Sequence, residues 1–183
     1  MKLNEWFEKG ITPSDYIGSM EVNQADLKHV YDNFTLPNDE DFFKNTKERN
    51  LRAIVLTEDW CGDAMLNTPI LLKIAEASDI EVRMLHRDQN LELMDQYLTN
   101  GRARSIPIFI FIDENGKEVA KWGPRAEKIQ AYVDESQSKL PSKETPEYEE
   151  KAKEMYAAFK KSYRNNTTFW DDVYDSIKAV LQD

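Results

Sequence analysis

The sequence predicts an α/β fold in which a mixed sheet is layered between helices, with further helices added at both termini. Three observations lead there. Between about 50 and 140, short runs of strand formers alternate with helical stretches in the order βαβαββα. Asp113-Glu114-Asn115-Gly116 separates two such runs and is a hairpin signal, with Asn-Gly as its signature. Before 50 and after 140, apolar residues recur at helical rather than alternating spacing.

The first region, 1–49, is read as a helical extension. Thr12-Pro13-Ser14-Asp15 is a helix start, with Thr12 as N-cap, Pro13 at the first helical position and Asp15 in the first turn. Tyr16, Ile17 and Met20, then Leu27, Val30, Tyr31 and Phe34, keep a helical period. Pro37 breaks it, and Asn38 is placed to cap a short helix carrying Phe42 and Phe43.

The second region, 50–140, holds the sheet. Arg52 to Leu56 is a short apolar strand, and Met65 to Ala77 is a helix with Leu66, Ile70 and Ile74 on one face. Pro69 inside it removes a backbone hydrogen bond and predicts a kink. Ile80 to His86 alternates as a strand, and Leu91 to Leu98 reads as a helix closed by Asn100-Gly101. Ile106 to Ile112 is a buried strand, Lys117 to Trp122 is its hairpin partner, and Ala126 to Leu140 forms a helix after Gly123-Pro124. The strand–helix–strand units imply parallel pairing, with the hairpin as an antiparallel edge.

The third region, 141–183, opens on Pro141 and Pro146. It carries a charged helix from Glu147 to Tyr163 and a final helix from about Thr168. The aromatic residues of both extensions (Trp6, Phe7, Tyr156, Phe159, Phe169 and Trp170) are expected to pack on the central region as core.

The 183 residues are 40 % hydrophobic and 32 % charged, which suits a globular protein. A net charge of −10 argues against nucleic acid and against an anionic membrane surface as partners. No apolar run is long enough to span a bilayer, and the N-terminus has no secretory h-region. A single cysteine excludes an intramolecular disulfide and points to a reducing compartment, the cytoplasm. His29 and His86 have no further ligand at metal spacing, so no metal site is expected. The six glycines form no phosphate loop.

That cysteine, Cys61, falls where a strand passes into a helix. A thiolate is the nucleophile, and unpaired N–H groups at a helix N-terminus, with the dipole behind them, favour it. Gly62 leaves the approach to sulfur open and Trp60 supplies an apolar wall, so a reactive and partly exposed thiol is expected. Asp63 works against it, since a carboxylate in the first turn repels a thiolate and competes for the same dipole.

Trp60-Cys61-Gly62-Asp63-Ala64 resembles the Trp-Cys-Gly-Pro-Cys active-site motif of thioredoxins. Pro69 matches the proline of the family's active-site helix. Glu81 to Asn90 resembles the following strand and its Asp-Gln-Asn loop, and Ser105-Ile106-Pro107-Ile108-Phe109 resembles the family's Ile-Pro-Thr segment. The resemblance spans about 52–139 and implies a thioredoxin fold, three layers α/β/α around a mixed sheet. The total length and the Trp-Cys-Gly-Asp motif are similar to thioredoxin-like bacterial proteins with helical extensions. Three positions depart from the family pattern: Ala64 replaces the resolving cysteine, Val55 the buried acid, and Met84 a lysine.

The resemblance implies a cis-Pro107 facing Cys61. It also implies a shallow apolar groove formed by Trp60, Gly62, Ile106, Pro107 and Gly123, where an extended partner segment pairs with the Ile106 backbone. Arg102 and Arg104, just before this loop, are candidates to attract a carboxylate-bearing small thiol, and Asp63 to modulate the sulfur. Two functions of different class fit these residues. One is a monothiol oxidoreductase of cell redox homeostasis. Cys61 attacks a protein or small-thiol mixed disulfide, an external low-molecular-weight thiol resolves the adduct, no other cofactor is needed, and the thiol pKa lies below the free value of about 8.5. The other is a non-catalytic binding module that uses the groove and keeps an ordinary or raised thiol pKa.

Overall fold

A computed structural model describes residues 1–183. Nine helices and four strands follow in the order α1 (Leu3–Lys9), α2 (Pro13–Ser19), α3 (Gln24–Asn33), α4 (Glu40–Lys47), β1 (Arg52–Thr57), α5 (Gly62–Ser78), β2 (Glu81–His86), α6 (Leu91–Met94), β3 (Ile108–Ile112), β4 (Glu118–Trp122), α7 (Glu127–Ser138), α8 (Tyr148–Asn165) and α9 (Thr167–Gln182). The sheet order is β2-β1-β3-β4. This is an α/β thioredoxin fold with extra helices. No helix is long and apolar enough to cross a membrane.

Side chains on a strand alternate between faces, and both faces of this sheet are covered. Ala53, Val55, Val82, Met84, Phe109 and Phe111 belong to the larger core, which also takes in α5 and the terminal helices. Ile54, Leu56, Leu85, Ile108, Ile110 and Ile112 belong to the smaller one, closed by Trp6 and Phe7 of α1 and by Leu93 and Met94 of α6. The continuous apolar strands of the sequence follow from this double coverage. Trp6, Phe7, Phe159 and Trp170 are buried as expected, and Phe169 is half-buried. Tyr156 is the exception: 59 % exposed, it lies edge-on to Phe159 on the solvent side of α8.

The α2 start is as read, with Thr12 Oγ1 accepting from the Asp15 N–H. The periodic stretch that follows is two helices, divided where Asn23 takes a left-handed conformation at φ 61°. Asp39, not Asn38, precedes α4, and its carboxylate accepts from Tyr174 (2.7 Å) and Lys178 (2.8 Å) of α9 instead of capping the helix. The helix expected over Leu91 to Leu98 ends at Met94. Asn100 and Gly101, at φ 53° and 68°, form a tight turn joining Thr99 to Ala103. Two successive positive φ angles suit Asn-Gly in a turn better than a helix end.

β1 and β2 are parallel, as the crossover through α5 requires. β3 is antiparallel to β1, which corrects the parallel pairing expected of the second strand–helix–strand unit. The connection from β2 to β3 contains only a 3-10 turn (Arg87–Gln89) and the one-turn α6. No long helix carries the chain back to the start of β2, so β3 returns from the end where β2 stops. The β3–β4 hairpin is as predicted, with the Asp113 carboxylate accepting from the Asn115 and Lys117 N–H groups.

Candidate functional site

β1 runs to Thr57, the chain turns through 58–60, and α5 begins at Gly62. Cys61 is its N-cap: extended at φ −83° and ψ 118°, with its carbonyl accepting the first helical bond from Met65 (3.1 Å). The sulfur therefore sits at the helix N-terminus, but it is not open. Only 9 % of the residue is exposed, and Sγ donates to the Ile106 carbonyl at 3.4 Å. The Ile106–Pro107 peptide is cis, and so is Gly123–Pro124.

The thiol goes against the low pKa expected of the monothiol reading and agrees with the ordinary or raised value expected of the binding module. Burial, then the Asp63 carboxylate, pushes Cys61 up to about 11, against lowering contributions from the Ala64 and Asp63 N–H groups and from Arg125. The helix N-terminus acts as expected, but desolvation of the anion outweighs it. The thiol is protonated at neutral pH.

Asp63 is tied down in turn. Arg125 forks onto its two oxygens, Nε to Oδ1 at 2.9 Å and Nη2 to Oδ2 at 2.8 Å, and the Tyr163 hydroxyl donates to Oδ1 at 3.1 Å. One helical turn on, Asn67 Nδ2 donates to the Pro124 carbonyl at 3.0 Å. Positions i and i+4 share a helix face, so Asp63 and Asn67 together grip the 124–125 loop. Gly62 faces the Tyr163 ring, which a Cβ would approach at 4.0 Å, so it abuts α8 rather than opening the sulfur.

Cys61 lines a cleft of about 360 Å³ with Trp60, Asp63, Ile106, Pro124 and three arginines, Arg87, Arg104 and Arg125. Trp60 is 51 % exposed and carries the Arg87 guanidinium 5.0 Å above its ring. The structure thus gathers Trp60, Cys61, Asp63, Arg104 and Ile106 around one opening. The lining differs from the apolar set expected: it takes in Trp60 and Ile106 but not Gly62, Pro107 or Gly123, and the mouth is rich in cations. Arg102 is exposed in the 99–103 turn and does not line the cleft. Arg87, Arg125 and Tyr163 escaped the sequence reading. No local pattern links Arg125 and Tyr163 to a helix start 62 and 100 residues away.

Gly123 supports the site by clearance. Its φ is 127°, and a Cβ there would lie 2.2 Å from the Pro107 carbonyl oxygen and 3.2 Å from the Ile108 Cα. Both are backbone atoms, so no side chain can swing aside. Gly123→Ala should cost about 2–4 kcal/mol in urea unfolding. Wild-type stability in that variant would show that the 107 and 123 segments separate freely.

The positions of the absent buried acid and lysine are apolar and adjacent. Val55 and Met84 are register partners on β1 and β2 and almost wholly buried. Neither position carries a titratable side chain. No three His, Cys, Asp or Glu side chains converge to hold a metal. A larger cleft, about 1080 Å³, lies at the opposite end of the sheet, between α2, α3 and the C-terminal end of α5. Its lining has no cysteine, so the smaller cleft at Cys61 is the candidate site for thiol chemistry.

The thioredoxin family model matches residues 10–140. Among solved structures, a protein of unknown function, PA1234, from Pseudomonas aeruginosa aligns with 16 % identity and a TM-score of 0.70, covering 100 % of this chain and 98 % of its own. An HIV epitope-scaffold aligns over the same shares with 16 % identity and a TM-score of 0.69. At that identity the likeness speaks to fold alone, and it extends over the helical extensions. No curated protein sequence matches.

Proposed function

The chain belongs to the thioredoxin family, and from that premise we propose that its thioredoxin-like redox role is carried by Cys61 as a monothiol. The observation that carries the reading is the placement of the only cysteine: at the α5 N-cap, on the Ile106 carbonyl, lining an open cleft. In the proposed cycle the Cys61 thiolate attacks one sulfur of a mixed disulfide, a Cys61–S bond forms, and the partner leaves as a thiolate that takes up the proton. An external thiolate then attacks the substrate-derived sulfur held in the Cys61 adduct, forms a new disulfide with it and expels Cys61 as its thiolate, which takes up the external thiol's proton. One electron pair passes from the external thiol to the substrate, and Ala64 requires that the external thiol perform the second step.

The raised pKa sets the terms. At neutral pH a thiol at about 11 holds a few hundredfold less thiolate than a free one at about 8.5. Intrinsic nucleophilicity rises with basicity, with a Brønsted slope of about 0.4–0.5, and recovers roughly one decade. Docking supplies the remainder, since effective molarities of about 10⁵ M or more are attainable for aligned reactants. Cys61 should therefore be sluggish towards reagents that do not dock. Iodoacetamide alkylation should climb about tenfold per pH unit from 7 to 10. A plateau near pH 7 would instead reveal a primed thiolate.

The deciding experiment is turnover of a peptide–small-thiol mixed disulfide with excess external thiol. Wild type should release the peptide and accumulate a Cys61 adduct visible by intact mass, and Cys61→Ser should do neither. Full activity in Cys61→Ser would end the monothiol reading. The burial and protonation of Cys61 favour one second reading, a module that binds a protein partner without catalysis. That reading requires partner complexes to survive Cys61→Ala.

A further inference from the structure

We propose that the cleft beside Cys61 selects disulfides of anionic low-molecular-weight thiols, with Arg104 and Arg87 receiving the ligand's carboxylates. This rests on the monothiol reading and adds the substrate class.

The cleft's size comes first. About 360 Å³ lies at the small end of the range for ligand pockets, room for a thiol of a few residues' bulk beside the sulfur. Charge comes second. In a chain of net charge −10, three arginines and a single carboxylate line this opening. Asp63 is engaged by Arg125, which also donates to Gln130 Oε1 at 3.1 Å, so that pair is internally neutral. Arg87 and Arg104 remain, each paired with an exposed carboxylate outside the cleft lining, Asp88 and Asp95.

Their present partners are exchangeable. Arg104 meets Asp95 at 2.7 and 3.0 Å with both side chains about half exposed, and its Nη1 has no protein partner. An ion pair so open to water contributes little, so a ligand carboxylate can share or displace Asp95 at small cost. Arg87 is better fixed: it lies over Trp60, pairs with the exposed Asp88, and donates from Nη1 to the Arg104 carbonyl at 2.9 Å. That bond joins the two arginine segments. Arg87 thus offers a pre-placed charge and Arg104 a movable fork suited to a carboxylate.

The step balances with the disulfide as oxidant. Cys61–SH and RS–SR give Cys61–S–SR and RSH, with the thiol proton passing to the departing thiolate. The resting Sγ–H···O=C contact to Ile106 is released as the sulfur turns to the ligand.

The test compares single-turnover modification of the full chain by three disulfides: oxidised glutathione (anionic), hydroxyethyl disulfide (neutral) and cystamine (cationic). Intact mass gives the rates, and each is divided by the rate for a cysteine-containing reference peptide at the same pH. The normalised anionic rate should exceed the cationic one by about tenfold at low salt and fall towards it at high salt. Arg104→Gln should bring the two within about twofold. The wild-type salt dependence provides a readout that needs no variant. Equal normalised rates in wild type, or selectivity unchanged in Arg104→Gln, would overturn the charge selection and leave the monothiol reading standing. Modification by all three only after denaturation would overturn both.

Discussion

Truncation after Leu140 should leave a chain without a cooperative unfolding transition. The sequence resemblance spans about 52–139 and the family match stops at 140, yet Phe159, Tyr163, Trp170, Val173, Ile177 and Leu181 are buried in the same core as Ile70, Ile74 and Phe111. Each large side chain contributes about 1.5–3 kcal/mol on burial, so these six amount to roughly 9–18 kcal/mol as an upper figure. A whole domain is stable by only about 5–15 kcal/mol. The truncated chain is also spared the cost of ordering residues 141–183, which offsets part of the loss. It cannot recover the face of α5 left in water. Specific ties go as well: Trp122 Nε1 to Ser176 Oγ at 2.8 Å, and Asp39 to Tyr174 and Lys178. The expected signs are a broad urea transition and strong binding of a hydrophobic dye. A sharp transition with full protection of the sheet would show instead that residues up to Leu140 form a self-sufficient unit and that α8 and α9 are attachments.

The sheet was legible because its signals are local. Apolar runs bounded by turn residues identify β1 and β3, and Asn115-Gly116 identifies the hairpin. The Thr12-Pro13 start of α2 is equally direct, since capping is settled within four residues. What escaped is what depends on distance. Whether Ile106 to Ile112 pairs parallel or antiparallel with β1 is decided by how the chain returns from β2, and Leu91 to Leu98 had the composition of a longer crossover helix than forms. The position of Cys61 at a helix start was readable, but its reactivity was not. Dipole and desolvation act on the same sulfur with opposite sign, and only the packed structure reveals how much water remains. Arg102 and Arg104 looked equivalent two residues apart, yet one belongs to the tight 99–103 turn and the other lines the cleft.

Asp63→Asn should convert the sluggish thiol into a faster one. Asp63 is the second cause of the raised pKa after burial, and Arg125 already acts in the opposite direction. Removing the carboxylate withdraws the repulsion and leaves the Arg125 charge uncompensated near the sulfur, so both changes favour the anion. Burial persists, so the pKa should fall from about 11 without passing below the ordinary thiol range. Iodoacetamide alkylation at pH 8 should accelerate on the order of tenfold, the equivalent of one pKa unit. Stability should move the other way. Arg125 and the Tyr163 hydroxyl lose a charged acceptor that is only 14 % exposed, at a cost of about 1–3 kcal/mol. Tyr163→Phe separates the two effects: it removes one hydrogen bond and keeps the carboxylate, so it should destabilise α8 packing while leaving the alkylation profile in place. If Asp63→Asn alkylates at the wild-type rate, burial alone sets the pKa and the Asp63–Arg125–Tyr163 cluster is only a clasp between α5, the 124–125 loop and α8. If it alkylates faster, the same cluster both fastens the C-terminal extension and holds the proton on the sulfur. The acid following Cys61-Gly62 would then be a brake on a monothiol.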